Sequence, residues 1–256
     1  MTPSMPYSLD GKVAVITGSS RGIGRATAET MARLGAKVVI SSRKADACEP
    51  VAQAIRAEGG EAAVIACNIS RKDEIEGLIA GTEKLYGAPD ILVCNAAVNP
   101  AYGPLADLSD EAFDKIMGSN VKSNLWLCNR VIPAMKAKGG GAIVIISSIA
   151  GMQGNAVIGG YGISKAADFA LARNLAVEHG VDNVRVNCIA PGLVKTDFAR
   201  ALWEDEEMLK KRTRTTPLRR IGLPEEIGPV AAFLASPAAS FITGQVIVAD
   251  GGVTIA

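Results

Sequence analysis

The sequence predicts an α/β fold: an open, doubly wound sheet of seven parallel strands flanked by helices. Short apolar runs recur along the whole chain, they are continuous rather than alternating, and helix-length segments separate them. Continuous runs rich in Val and Ile are the pattern of strands buried on both faces, and such strands form parallel sheets covered by helices. The repeated strand–helix–strand order sets the class.

Taken in order, the strands are expected at 12–17, 37–41, 62–67, 90–94, 142–147, 184–189 and 245–249, with helices at 24–34, 45–58, 72–86, 110–136, 162–179 and 225–235. Ser109 can cap the fourth helix, with Asp110 and Glu111 placing negative charge in its first turn. Pro224 and Glu225 suit the start of the last. An eight-stranded barrel is the competing architecture, but seven runs and a glycine-rich turn directly after the first favour the open sheet. No composition break divides the 256 residues, so 1–256 is read as one domain with a flexible start at 1–10. The stretch 196–217, after the sixth strand, is the one long interval without a strand. A lid over a substrate would be useful there.

Composition removes several function classes. Hydrophobic residues make up 48% of the chain and charged residues 21%, and the net charge of +1 offers no basic face to nucleic acid or anionic lipid. Basic residues collect at 210–220 behind acidic ones at 204–207, which reads as a solvated mobile segment. The five cysteines are odd in number and far apart in sequence, which rules out a CxxC pattern and points to a reducing compartment. His179 is the single histidine, so a multi-histidine metal site is excluded and no metal is expected. Preceding Gly180 at a helix end, it reads as a surface cap. The start has no basic and apolar leader pattern, and no apolar run reaches the ~18 residues a bilayer needs. A cytoplasmic protein is expected.

The first strand runs into Thr17-Gly18-Ser19-Ser20-Arg21-Gly22-Ile23-Gly24. Glycines let a backbone turn tightly and approach a pyrophosphate closely, and the following helix aims its free N–H groups at the anion. The end of the second strand, where dinucleotide enzymes choose their cofactor, carries Ser42 and Arg43, with Lys44 adjacent, instead of a carboxylate. A guanidinium suits a phosphate dianion, and Arg21 can face the same corner, so NADP(H) is expected over NAD(H), which stays open.

Tyr161 and Lys165 lie four residues apart on an expected helix and so share a face. Ser147 and Ser148 end the fifth strand at the ligand-binding edge, and Asn120 lies within the long fourth helix. Hydride chemistry needs a group that gives or takes a proton at the reacting oxygen. A free phenol titrates near ~10, and lowering it toward 7 takes roughly 4 kcal/mol. An ammonium at ~4 Å supplies about that much at an effective dielectric of 20. The pair is therefore expected to be an acid/base tuned by charge rather than burial.

Together these residues resemble the short-chain dehydrogenase/reductase family, whose fold is of the Rossmann type. Thr17–Gly24 looks like its TGxxxGxG turn, Asn95-Ala96-Ala97 resembles its NNAG segment, and Asn120, Ser148, Tyr161 and Lys165 match its catalytic tetrad. Pro191-Gly192-Leu193-Val194-Lys195-Thr196 resembles its PGxxxT segment, so the match spans the chain. The resemblance implies that Tyr161 is the acid/base, Lys165 lowers its pKa and binds the nicotinamide ribose, Ser148 positions the substrate oxygen, and Asn120 holds a water that relays protons toward Lys165. It implies cofactor contacts at Gly18, Ser20, Arg21, Gly22, Ile23 and Gly24, at Ser42 and Arg43, and at Asn95, Ala96 and Ala97. Asn68 and Ile69 would lie by the adenine, where the family usually has Asp-Val; Pro191, Gly192, Val194 and Thr196 would line the nicotinamide. Cys94 and Ala97 depart from NNAG without touching the tetrad. A narrower similarity, in 39–44, 94–100 and 188–193, is to DHRS4-like NADPH-dependent carbonyl reductases of retinal and ketones.

The expected function is hydride transfer between NADP(H) and a small ketone, aldehyde or secondary alcohol. A 3-oxoacyl thioester reductase, with Lys210–Arg214 meeting an acyl-carrier or CoA phosphate, is the alternative within enzymes. A non-catalytic NADP(H)-binding regulator is the alternative outside them. No nucleic-acid or membrane partner is expected, and the family implies a homotetramer.

Overall fold

Seven strands pair in parallel into one sheet: β1 (Val13–Thr17), β2 (Lys37–Ser41), β3 (Glu61–Val64), β4 (Ile91–Cys94), β5 (Gly141–Ile146), β6 (Val184–Pro191) and β7 (Val246–Ala249). The spatial order is 3-2-1-4-5-6-7, so the chain reverses its direction of travel across the sheet between β1 and β4. The structure is a computed structural model in which residues 6–256 are described. Its helices are α1 (Gly22–Arg33), α2 (Ala45–Ala57), α3 (Lys72–Tyr86), α4 (Asp110–Met117), α5 (Ser123–Ala137), α6 (Gly159–His179), α7 (Glu206–Thr213) and α8 (Pro224–Ala235). Among the described residues no helix is long and apolar enough to cross a membrane.

The continuous apolar strands do what their pattern requires. On β1 every residue is buried. Ala14 and Ile16 pack with Met31, Val51 and Ile227 from α1, α2 and α8. Val15 points the other way, into a layer with Leu78, Leu127 and Phe169 from α3, α5 and α6. A sheet sandwiched in this way turns all its carboxyl ends, and the loops that leave them, toward one edge.

Several elements differ from expectation, each for a local reason. The helix expected across 110–136 is interrupted: a π turn, Gly118–Lys122, separates α4 from α5. Side chains take up carbonyls in this widened turn, Ser123 Oγ donating to Ser119 O at 2.6 Å and Asn124 Nδ2 to Asn120 O at 2.7 Å. The interval 196–217 lacks a strand, yet it holds a 3₁₀ turn, Asp197–Leu202, and α7. Of the start expected to be flexible, residues 1–5 lie outside the described residues, and of residues 6–10 only Leu9 is buried. Leu9 is buried and donates its N–H to Leu34 O at 2.8 Å, and Pro6 O accepts from Ala238 N at 2.8 Å. His179 ends α6 as expected but is no surface cap. Only 13% of its side chain is exposed, and its buried Nδ1 lacks a hydrogen-bond partner.

Candidate active site

The turn after β1 is a cradle in which side chains have no room. Gly18 has φ +64°, and a Cβ there would sit 2.9 Å from Ala96 Cα. A Cβ on Gly24 would lie 2.5 Å from both Gly18 O and Asn95 Nδ2. That space lets Asn95, just past β4, strap the turn: its amide donates to Thr17 O at 2.9 Å and Gly18 O at 3.0 Å. Thr17 Oγ1 accepts from Asn95 N and Ala96 N in return. Gly22 opens α1, with Ser20, Arg21 and Ile23 around it, against Thr196 from the segment after β6. A dinucleotide pyrophosphate fits such a turn, which offers unshielded backbone N–H groups at a helix start.

Ser42 and Arg43 follow β2. Ser42 Oγ is engaged locally, donating to Lys44 O at 3.1 Å. Arg43 is exposed, and among the described residues it has no ion-pair partner. Arg21 does not join it in any recorded contact; its guanidinium reaches Asp197 Oδ2 at 3.4 Å, tying the glycine turn to the segment after β6. Past β3, Asn68 Oδ1 accepts from Ser70 N, and Ile69 packs against the core. Pro191 ends β6, Gly192 lies against Asp250, Val194 is buried, and Thr196 caps the Asp197–Leu202 turn through Ala199 N.

The tetrad candidates converge at the same edge. Ser148 follows β5 in extended backbone, its Oγ accepting from Ala150 N at 3.1 Å. Tyr161 lies in the first turn of α6 and Lys165 one turn on, with Nζ 5.6 Å from the phenol ring centroid. Asn120 sits in the π turn and is fully buried. It clasps the Val98 backbone from both sides, accepting from N at 2.8 Å and donating to O at 2.9 Å, and donates also to Ser164 Oγ at 3.0 Å.

Electrostatics at the pair differ from the expected tuning by charge. Enclosure pushes the Tyr161 phenol above its ordinary 10.0, against the pull of Lys165 and a hydrogen bond from Ser148. A residue that sequence reasoning missed adds to the rise. Asp168, one helical turn beyond Lys165, is completely buried and takes Nζ on Oδ2 at 3.0 Å. Burial disfavours the Lys165 ammonium, but Asp168 outweighs it and holds the group above its usual 10.5. Burial also raises the Asp168 carboxyl, against the opposing pull of Lys165 and Asn124. Positions 161, 165 and 168 share one helix face, and that spacing was the available signal. An acidic residue there reads as solvated until the face is known to be buried.

The enoyl-(acyl carrier protein) reductase family profile matches residues 18–254. The chain belongs to the short-chain dehydrogenase/reductase family. Among curated members of the family it is 43% identical to the dehydrogenase/reductase SDR family member 4 of Oryctolagus cuniculus, over 95% of this chain and 94% of that one. Among solved structures it is similar to a 7α-hydroxysteroid dehydrogenase complexed with NADH and 7-oxo glycochenodeoxycholic acid, with a TM-score of 0.94, 39% identity and 98% of each chain covered. It is also similar to a gluconate 5-dehydrogenase from Burkholderia cenocepacia in complex with NADP and tartrate, with a TM-score of 0.93, 31% identity and 98% coverage of both chains. An oxidoreductase of this family acts on carbonyl or alcohol groups with a nicotinamide cofactor. The four residues that the resemblance assigns to the tetrad stand just after β5, in the π turn and on α6.

Proposed function

We propose that this protein is an NADP(H)-dependent carbonyl reductase, reversible as an alcohol dehydrogenase, acting on small ketones, aldehydes or secondary alcohols. The convergence of Ser148, Tyr161 and Lys165 at the carboxyl edge, beside the strapped glycine turn, carries this reading. A bound nicotinamide would supply the hydride. Gly18, Ser20, Gly22, Ile23 and Gly24 would hold the pyrophosphate end, with Asn95, Ala96 and Ala97 beneath. Asn68 and Ile69 would border the adenine, and Pro191, Gly192, Val194 and Thr196 the nicotinamide. Lys165 would hold the ribose through a donor not spent on Asp168 or Ile146 O.

The chain's own groups then do the proton work. Ser148 Oγ and the Tyr161 phenol hold the carbonyl oxygen from two sides, and Tyr161 delivers its proton as charge develops there. Enclosure favours the protonated phenol, the form a proton donor needs. Tyr102, Leu105 and Val157 line a cleft next to Tyr161, and the Phe198 ring stands 6.0 Å from the phenol ring. These half-exposed apolar side chains suit a substrate with an apolar body and shield the reacting oxygen from water. Asp197–Leu202, which carries Phe198, and α7 would act as a lid over that cleft.

The preference for NADP(H) rests on Arg43, a guanidinium with no ion-pair partner among the described residues, beside the corner where the 2′-phosphate would lie. Arg43→Ala is expected to raise the KM for NADPH roughly tenfold to a hundredfold, the worth of one charged hydrogen bond, and to leave that for NADH unchanged. A higher kcat/KM with NADH in the unmodified enzyme overturns the cofactor choice. A panel of small ketones followed as NADPH loss tests the activity itself. Turnover confined to 3-oxoacyl thioesters favours the thioester reductase, and tight NADPH binding without any turnover favours the regulator.

A homotetramer in a cytoplasmic setting completes the proposal. Val177 and Val181 at the end of α6, and Phe241 and Ile255 near β7, are each more than four-fifths exposed, an apolar surface that self-association would cover. Light scattering is expected to give four times the chain mass of 26.5 kDa, and a monomer would refute it.

A further inference from the structure

Behind the catalytic lysine, side chains form an unbroken bridge to the π turn. Asn120 O accepts from Asn124 Nδ2 at 2.7 Å; the same amide donates to Asp168 Oδ1 at 3.0 Å; and Asp168 Oδ2 accepts from Lys165 Nζ at 3.0 Å. Both Asn124 and Asp168 are buried. The other recorded partner of Nζ is Ile146 O at the end of β5, also at 3.0 Å. Lys165 is thus pinned on two sides, and the bridge ends on the Asn120 carbonyl. Packing alone does not call for this arrangement, because a buried ion pair is often no more stable than apolar side chains of similar volume.

We propose that Asp168 is a positioning residue for the active site: it holds Lys165 against the end of β5 and offsets its charge, so that Tyr161 serves as a proton donor through neutral pH. This rests on the reading of Tyr161 as the acid. The other ionisable groups facing the bridge do not take over its role. Cys188 on β6 donates its thiol to Asp168 O at 3.4 Å, and burial pushes that thiol far up. Cys94 on β4 is pushed up by the hydrogen bond its thiol donates to Cys128 on α5 and by burial. Arg173, farther along α6, acts on Cys188, and Tyr102, from the loop after β4, faces Tyr161. The carboxylate of Asp168 is the negative charge set directly on the lysine.

Removing that charge leaves Lys165 uncompensated beside the phenol, so tyrosinate becomes easier to form. The test is an optical titration of tyrosinate in the enzyme, taken as the difference from Tyr161→Phe so that it reports Tyr161 alone, together with the pH profile of carbonyl reduction. Asp168→Asn keeps the side-chain shape and one acceptor oxygen. It is expected to lower the Tyr161 midpoint by about one pH unit, roughly a tenfold change in tyrosinate fraction, and to move the alkaline limb of kcat/KM down with it. Asp168→Glu, which keeps the charge, is expected to restore the midpoint. If Asp168→Asn does not fold, Asn124→Leu removes the donor that keeps the carboxylate ionised, and a smaller shift of the same sign is expected.

An unmoved midpoint and an unmoved limb, with loss only of melting temperature or of kcat at every pH, overturn the proposal and leave Asp168 a structural residue. The two readings fail separately. The optical titration reports Asp168 acting on Tyr161 whether or not Tyr161 is catalytic, whereas activity retained by Tyr161→Phe removes the acid role and leaves the titration standing.

Discussion

Tyr161→Phe is expected to lower turnover of every carbonyl substrate by about a thousandfold, within the usual range for losing a general acid. The ring stays in place at the start of α6, so its contact with Phe198, 6.0 Å between centroids, and the lysine beneath it persist. Only the phenolic hydroxyl is lost, and with it the acidic proton. Affinity for NADPH, measured by titration calorimetry, is expected to stay unchanged, because the turn after β1 and the corner after β2 lie on other elements. The combination separates a proton donor from a structural tyrosine, whose loss would weaken cofactor binding and thermal stability together. Retention of most of the activity would defeat the mechanism.

Gly24→Ala is expected to be the most damaging small substitution in the cofactor cradle. Its methyl would sit 2.5 Å from Gly18 O and 2.5 Å from the Asn95 amide, inside any tolerable contact. Asn95 must then give up one or both of its bonds to Thr17 O and Gly18 O. Two lost hydrogen bonds and local overpacking amount to about 2–5 kcal/mol, or a fall in melting temperature of roughly 5–15 °C for a chain of this size. Added NADPH should recover less of that loss than it adds to the unmodified protein, since the anion cradle itself is deformed. Gly77→Ala in α3 is the control. A methyl there meets nothing within 4 Å, so the change should stabilise the helix by about 0.5–1 kcal/mol. Equal melting temperatures for the two variants would show that the turn has room the structure denies it.

What was legible in the sequence follows from how local each signal is. The Val- and Ile-rich runs give the seven strands and their parallel pairing, since burial on both faces is written into each run by itself. The glycine turn, Tyr161, Lys165 and Ser148 are legible because their spacing along the chain is part of their chemistry. Asp168 and Asn124 are not. A carboxylate and an amide on helices read as solvated surface, and only the packing of α6 on α5 and β6 makes them interior. His179 was placed at the right helix end but on the wrong side of it, because capping logic fixes a position along the axis and not a direction around it.

The π turn at Gly118–Lys122 has a consequence for chain length. An α-helix carries 3.6 residues per turn, and a π turn adds one, so the segment before it is rotated by about 100° relative to a helix without it. Asn120 faces Val98 and Ser164 in that rotated frame while α5 keeps its own face on the sheet. Deleting a single residue between 118 and 122 would restore an uninterrupted helix and swing everything before the deletion around by that angle. Insertions at 203–205, between the 3₁₀ turn and α7, face no such bookkeeping. The chain can therefore vary in length between the 3₁₀ turn and α7, but must keep its count inside a helix that, judged by secondary structure alone, is the safer place to change it.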